Sequence, residues 1–235
     1  MHSRHRPASR TLLASLLFAF AIPALAADEP QRPAIARGTD WRAAVRQFAE
    51  THLKHPAWGA SHSLRDYDLA KSLAAEDGVT LDDDVLFAAA YLHDVAAFAA
   101  FKKAGVDHQD QAANIIGDLL ANTGFPPPKL DAVRGAIRTH MFARDPTGPE
   151  AIYLHDADAL DWLGAIGIAR VFGVVDPNGG STNGPEAAAW LEKNLADVPR
   201  RIVSKAGKRR AEPRIRELEL FLRNLRAQSS DLRAL

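Results

Sequence analysis

The sequence predicts an all-α fold, read as one helical bundle. Apolar residues recur at steps of three and four along most of the chain, and the period-two alternation of a half-buried strand is missing. Breaks such as Gly78 and Pro126-Pro127-Pro128 separate runs of helical length.

The elements follow in order. The chain opens "MHSRHRPASRTLLASLLFAFAIPALAADEP", with Arg4, Arg6 and Arg10 before an apolar stretch from Leu12 to Ile22 and then Ala24-Leu25-Ala26. This is the pattern of a secretory signal peptide over 1–26, cleaved after Ala26, and its apolar run is short for a membrane span. The expected protein is periplasmic or secreted, with no membrane span after cleavage. "ADEPQRPAIARG" (27–38) reads as a flexible tail, and 39–228 as a single domain. Thr39 or Asp40 can cap a helix reaching about Lys54. "SHSLRDYDLAKSLAAEDG" (61–78) is the next, closing at Gly78. "LDDDVLFAAAYLHDVAAF" (81–98) carries acids at its N-terminus, where the helix dipole favours them. Further helices are expected over 108–121, 128–142, 150–173, 186–196 and 212–227. "DPNGGSTNGP" (176–185) reads as one long loop, of a kind that often serves as a lid or binding loop.

Composition narrows the function. The chain has 29 basic and 29 acidic residues; loss of 1–26 removes three arginines and no acids, leaving 26 against 29, a net charge of −3. Without a dominant basic patch, an obligate nucleic-acid partner is disfavoured, because that affinity rests on phosphate neutralisation. The absence of cysteine excludes disulfides, thiolate metal sites and a cysteine nucleophile.

Against this background "AAAYLHDVAAF" (88–98) stands out, since His93 and Asp94 sit in an otherwise apolar run. An unpartnered polar group in an apolar interior costs about 2–7 kcal/mol, and a bare carboxylate far more. His62, His140, Asp156, Asp158 and Asp161 are also placed on or beside helices. Imidazole with carboxylate suits a divalent cation such as manganese, iron or zinc, and converging helices gather such ligands. Adjacent residues within a helix point about 100° apart, so His93 and Asp94 can share an ion only near a helix end. Asp158 and Asp161, three apart, share a face, whereas Asp156 points elsewhere, as a cap or a solvated residue.

The ordered set of a histidine opening His62-Ser63-Leu64-Arg65, then "LHD", "THMF" and "DADALD" followed by "GAIGIAR", resembles the HD-domain superfamily of metal-dependent phosphohydrolases. More narrowly, it is similar to a bacterial subgroup with a "DADRLDAIGAIGIAR"-type signature. The likeness runs from about 41 to 227 and includes Lys193 in "LEKNL", "GKRRAEPR" and "FLRNL".

That resemblance implies an HD-like bundle in which His62, His93, Asp94 and Asp158 hold one divalent ion, Mn2+ foremost, with Mg2+, Co2+, Fe2+ or Zn2+ as alternatives. The implied reaction is hydrolysis of a phosphoester or phosphoanhydride in a small phosphorylated substrate, a nucleotide among the candidates, by metal-activated water. A non-catalytic HD module that binds metal or nucleotide is the alternative. Asp94 or Asp158 is the implied proton acceptor, and Asp161 orients a ligand or water from behind. His140 is assigned to acid–base assistance or phosphate contact, with a second metal or simple packing left open. Arg65, His108, Lys193 and Arg214 are the implied substrate-binding residues, and His108 could instead join His140 at a second ion. Lys102 and Lys103 read as a solvated turn. Two departures bear on substrate preference. "HDVAAFAAFKK" lacks the glycine-lysine pair common after the HD doublet, and "HPAWGASH" lacks an aspartate often found before the first histidine.

The N-terminal reading has a direct check. Protein recovered from a native-like exporting host should begin at Ala27 by N-terminal sequencing, and a secreted pool that retains Met1 would refute it.

Overall fold

Asp40 opens the first helix by accepting the backbone N–H of Ala43 at 3.0 Å, and α1 (Trp41–His52) buries Trp41, Val45, Phe48 and Ala49, one stripe at helical spacing. The computed structural model describes residues 32–38, 40–174 and 184–235. The expected signal peptide, residues 27–31 of the expected tail, the alternative cap Thr39 and residues 176–183 of the expected loop lie outside the described residues. Residues 32–38 have no regular secondary structure, yet Ile35 is buried in the core.

Nine α-helices and no strand are present among the described residues. α2 (Ala60–Glu76) begins at Gly59, where an added Cβ would lie 2.5 Å from the His55 carbonyl oxygen, so the tight entry into α2 excludes a side chain. It ends just before Gly78, which takes φ +71°. α3 (Asp83–Leu92) starts on Asp82, whose carboxylate accepts the N–H groups of Asp84 and Val85, and is buried from Val85 onward. It stops six residues short of the expected 98. The His93 ring turns back to the Ala90 carbonyl at 2.8 Å, satisfying an acceptor of the last turn, and Val95–Ala97 forms a 3-10 turn. α4 (His108–Leu120) matches its expected span. α5 (Leu130–Arg138) is shorter than 128–142, because Pro127–Lys129 forms a 3-10 turn and the helix ends at Thr139.

The expected helix over 150–173 is two helices, α6 (Pro149–Asp161) and α7 (Gly164–Val174). Gly164, at φ +63°, makes the break, and Gly167 lets α7 start hard against the Trp162 carbonyl, 2.3 Å from where its Cβ would lie. α8 (Gly184–Asp197) follows. α9 (Lys205–Gln228) begins seven residues before the expected 212, since Ser204 caps it by accepting the N–H of Gly207 at 2.9 Å, and Pro213 lies inside it.

α3 is the centre of the core, packed by α1, α2, α5 and α6, while α2 lies along α6. Phe87, Leu86, Leu73, Ile137, Leu154 and Leu160 are fully buried there. Trp41 meets Phe87 and Phe125 edge-on at 5.5 and 5.0 Å. α7, α8 and α9 pack on one another against α6. Asp156 is neither solvated nor the cap of its own helix, since it lies inside α6. The side chain is buried and accepts the N–H groups of Val203 and Ser204 at 2.9 and 2.7 Å, tying α6 to the start of α9.

Asp156→Ala therefore removes the acceptor of two backbone donors, that of Ser204 buried. The expected cost is about 1–3 kcal/mol, read as a fall in Tm of about 2–4 °C for each kcal/mol, with helical circular dichroism retained below the transition. An unchanged Tm would show that this contact contributes nothing.

Candidate metal centre

Three helices deliver the side chains. α2 turns His62 and, one turn later, Asp66 inward; the end of α3 presents His93 and Asp94; α6 presents Asp158 and Asp161. Because α3 ends at Leu92, His93 and Asp94 lie beyond regular helix, which removes the obstacle that adjacent helical residues diverge.

Three histidines have their Nδ1 atoms engaged by oxygens that only accept. His62 Nδ1 donates to Asp161 Oδ2 at 2.8 Å, His93 Nδ1 to the Ala90 carbonyl at 2.8 Å and His140 Nδ1 to the Ile137 carbonyl at 2.7 Å. Each Nε2 is thereby left as the ligating atom, the arrangement that fixes tautomer and ring direction in metal-binding histidines. The Nε2 atoms of His62 and His93 approach to 3.2 Å. Asp158 Oδ1 stands 3.4 Å from His62 Nε2, and Asp94 Oδ2 stands 3.7 and 3.4 Å from the Nε2 atoms of His62 and His93. Asp66 Oδ2 lies 3.2 Å from His62 Nε2, and neither of its oxygens has a hydrogen-bond partner among the described residues although the side chain is fully buried. One ligand atom from each of His62, Asp66, His93 and Asp158 fits within a mutual distance of 4.8 Å, as do atoms of His93, Asp94 and His140.

The chemistry of this donor set fits a divalent cation. Imidazole lone pairs and carboxylates crowd a water-poor space, and a buried carboxylate left unpartnered is costly. The titration behaviour reports the same crowding. Burial pushes Asp66 well above the usual carboxylate range, reinforced by Asp161 and Asp158. Burial opposes charge on His93, yet Asp94, with Asp66 and Asp158, lifts its imidazole to about 10. Burial and Arg170 lower the imidazole of His62, and burial lowers that of His140. Asp94, despite burial, is held well below the ordinary carboxylate value by His93, His108 and His140.

Asp161 faces away from this cluster. It receives Arg65 through Nε and Nη2 at 3.0 and 2.8 Å and Arg170 Nη1 at 3.2 Å, besides His62. Those partners outweigh its burial and hold it below the ordinary carboxylate range. Its reach toward an ion passes through the His62 ring. Arg170, nearly buried, also brings Nη2 to 3.3 Å from His62 Nε2 and lays its guanidinium over Trp162, 3.7 Å from the ring centroid.

A cavity of about 210 Å³ opens beside the cluster, lined among others by Trp58, Asp94, His108, Met141, Asp158 and Trp162. Asp94 Oδ1 faces this side, 3.2 Å from His108 Nε2 and 3.5 Å from His140 Nε2, and those two nitrogens are 3.3 Å apart. The Trp58 indole is backed by the His55 ring, nearly parallel at a centroid separation of 3.4 Å.

The structure thus gathers His62, His93, Asp94, His108, His140, Asp158 and Asp161, with Arg65 held behind Asp161. It does not gather the other two basic residues. Lys193 is exposed and paired with Asp197 at 2.6 Å, and Arg214 donates Nη1 to the Leu160 carbonyl at 2.5 Å; neither lines the cavity. Lys102 and Lys103 are exposed. Sequence reasoning missed Asp66, Arg170, Trp58 and Trp162. Asp66 carried a signal, lying four residues after His62 and so on the same helix face.

Residues 59–163 match the family model of the HD domain, a span that includes every histidine and aspartate of the cluster. Over that span the chain matches the HD domain. Its fold agrees with that of solved bacterial proteins, HD-superfamily hydrolases among them. Bacillus subtilis YpgQ in complex with ADP superposes with a TM-score of 0.61 at 21% identity, over 80% of this chain and 97% of that one. An HD-superfamily hydrolase from Bacillus thuringiensis gives 0.58 at 24% identity, covering 80% and 96%. A predicted HD superfamily hydrolase from an uncultured Thermotogales bacterium gives 0.55 at 26% identity, covering 78% and 90%. Among curated proteins, a bikaverin polyketide synthase of Gibberella fujikuroi is 36% identical over 75 residues, 31% of this chain, and the chain spans 4% of that protein's length. The HD domain has the fold of HD-superfamily hydrolases, and its buried His/Asp cluster fits a metal site.

The two acids of α6 make the centre testable. Asp158→Asn should lose bound metal outright, whereas Asp161→Asn, which leaves an acceptor for Arg65 and His62, should keep metal with affinity weakened about 10–100-fold. Elemental analysis after desalting and chelator competition read both. The opposite order of effects would overturn these assignments.

Proposed function

We propose that the protein is a metal-dependent phosphohydrolase acting on a small phosphorylated substrate by water attack at phosphorus. The observation that carries this reading is the convergence of the His62 and His93 Nε2 atoms with Asp94 and Asp158 at the floor of an open, aromatic-walled cavity. A divalent cation held there by His62, His93, Asp94 and Asp158 supplies Lewis acidity toward a phosphoryl oxygen and toward the attacking water. The donor set, oxygen and nitrogen without thiolate, favours Mn2+, with Mg2+, Co2+, Fe2+ and Zn2+ as alternatives.

The chain's own residues supply the rest. Asp94 and Asp158 line the cavity and are the candidate acceptors of the water proton. His140, kept neutral by burial, and the half-exposed His108 adjoin Asp94 Oδ1 and can carry that proton onward. Arg170 reaches the cavity as its guanidinium donor. Trp58, backed by His55, gives one wall a flat surface suited to a ring, and the likeness to a protein in complex with ADP supports a nucleotide as the class to test first. Arg65, Lys193 and Arg214 are engaged by protein partners. The positive charge offered to phosphate is therefore assigned to the ion first, with Arg170 beside it because it lines the cavity although Asp161 also holds it. The N-terminal sequence supports action in the periplasm or outside the cell, by the domain at 39–228.

A second ion is favoured by one specific feature, the turning of Asp94 Oδ1 to His108 and His140 while Oδ2 faces His62 and His93. Asp94 would then be shared between two ions.

Chelation should abolish hydrolysis of phosphomonoesters, diesters and nucleotides, and added Mn2+ should restore it, with release of phosphate or pyrophosphate as the readout. Rates that survive excess EDTA in protein shown to be metal-free would eliminate the mechanism. Metal binding without turnover on any of these substrates would favour the non-catalytic HD module instead.

A further inference from the structure

We infer that Asp66 is an additional protein ligand of the buried ion, a role outside the set His62, His93, Asp94 and Asp158; the inference rests on the metal-dependent reading above. Asp66 is fully buried on α2, one turn after His62 and on the same face. Neither of its carboxylate oxygens finds a hydrogen-bond donor among the described residues. What it faces is His62 Nε2 at 3.2 Å and His93 Nε2 at 3.8 Å, two nitrogens whose rings are already fixed by donation from Nδ1. The Asp66 carboxylate therefore points at the ring nitrogens where the other acids also converge, without a hydrogen bond of its own, and a cation among these donors makes every contact attractive.

No protein cation is hydrogen-bonded to Asp66 among the described residues. Arg170 and Arg65 are hydrogen-bonded to Asp161. His62, Asp66, His93 and Asp158 form a compact four-donor group by themselves, with Asp94 beside it and turned in part toward His108. Two imidazoles and three carboxylates around one dication make an anionic, oxygen-rich set, which favours Mn2+, Mg2+ or Fe2+ over a softer partner.

The test uses the full mature chain, stripped of metal and titrated with Mn2+ alone, comparing wild type, Asp66→Asn, Asp66→Val and Asp158→Asn. Affinity comes from chelator competition, the ion's surroundings from the electron paramagnetic resonance of bound Mn2+, and stability from Tm with and without the ion. Both Asp66 variants should bind Mn2+ more weakly by at least the about 10–100-fold that follows loss of an orienting residue, with an altered resonance spectrum. The metal-free variants should melt higher than metal-free wild type, because an unpartnered buried carboxylate is gone, while the rise in Tm on adding Mn2+ shrinks. Asp66→Val serves if Asp66→Asn folds poorly. Wild-type affinity and an unchanged spectrum in both variants would overturn the inference and leave the metal-dependent reading standing. Failure of wild type itself to take up Mn2+ would overturn that reading and the inference with it.

Discussion

Carboxylates and imidazole lone pairs forced together away from water are the constraint around which this bundle is organised. Asp66, Asp158 and His62 are almost inaccessible, His93 is fully buried, and the helices carrying them are otherwise apolar on the faces that meet. Such a cluster opposes folding by itself. It is held by what surrounds it: Leu73, Leu86, Leu92 and Leu160 are fully buried, and Ala88, Ala89, Ala90, Ala157 and Ala159 let α3 and α6 come close. The apolar contacts close the bundle over an electrostatic deficit that a cation removes, so binding an ion and stabilising the fold become one free energy.

The deficit is bounded on one side by protein cations. Asp161 collects His62, Arg65 and Arg170, joining α2, α6 and α7 through one carboxylate. This arrangement explains why a helix that reads as continuous from 150 to 173 must break after Asp161. The turn at Trp162 and Gly164 sends α7 back so that Arg170 returns to Asp161 and lies over Trp162. Had α6 continued straight, Arg170 would sit two and a half turns farther along one axis, out of reach of the acid it neutralises.

How much of this was legible in the sequence depends on the kind of signal. The residues of the centre were legible because a resemblance supplies their order, while periodicity supplies the helices that carry them. The helix limits were less so, because they are decided by tertiary partners. α3 ends early because the His93 ring takes the Ala90 carbonyl, and α9 starts early because Ser204 caps it and Asp156 holds the Ser204 N–H. The expected phosphate-binding cations were misplaced for a similar reason. A basic residue has no pattern that says whether it faces a ligand or, like Arg214 and Lys193, a carbonyl or a neighbouring acid. Asp66 was visible as an i,i+4 partner of His62, but only burial without a hydrogen bond distinguishes it from a solvated helix acid.

Asp94 links the buried centre to the outside. One of its oxygens faces His62 and His93, the other faces His108 and His140, and its side chain is more exposed than those of Asp66, Asp158 and Asp161. A carboxylate shared in this way transmits charge in both directions. Positive charge at His62 and His93 draws electron density from the oxygen facing the cavity and weakens it as an acceptor, whereas a proton on His108 or His140 does the reverse. Under the proposed function, ligation and proton transfer are therefore not separable properties of Asp94. The neutrality that burial imposes on His140, beside an imidazole at His108 that touches solvent, gives the pair different environments from which to take and return a proton.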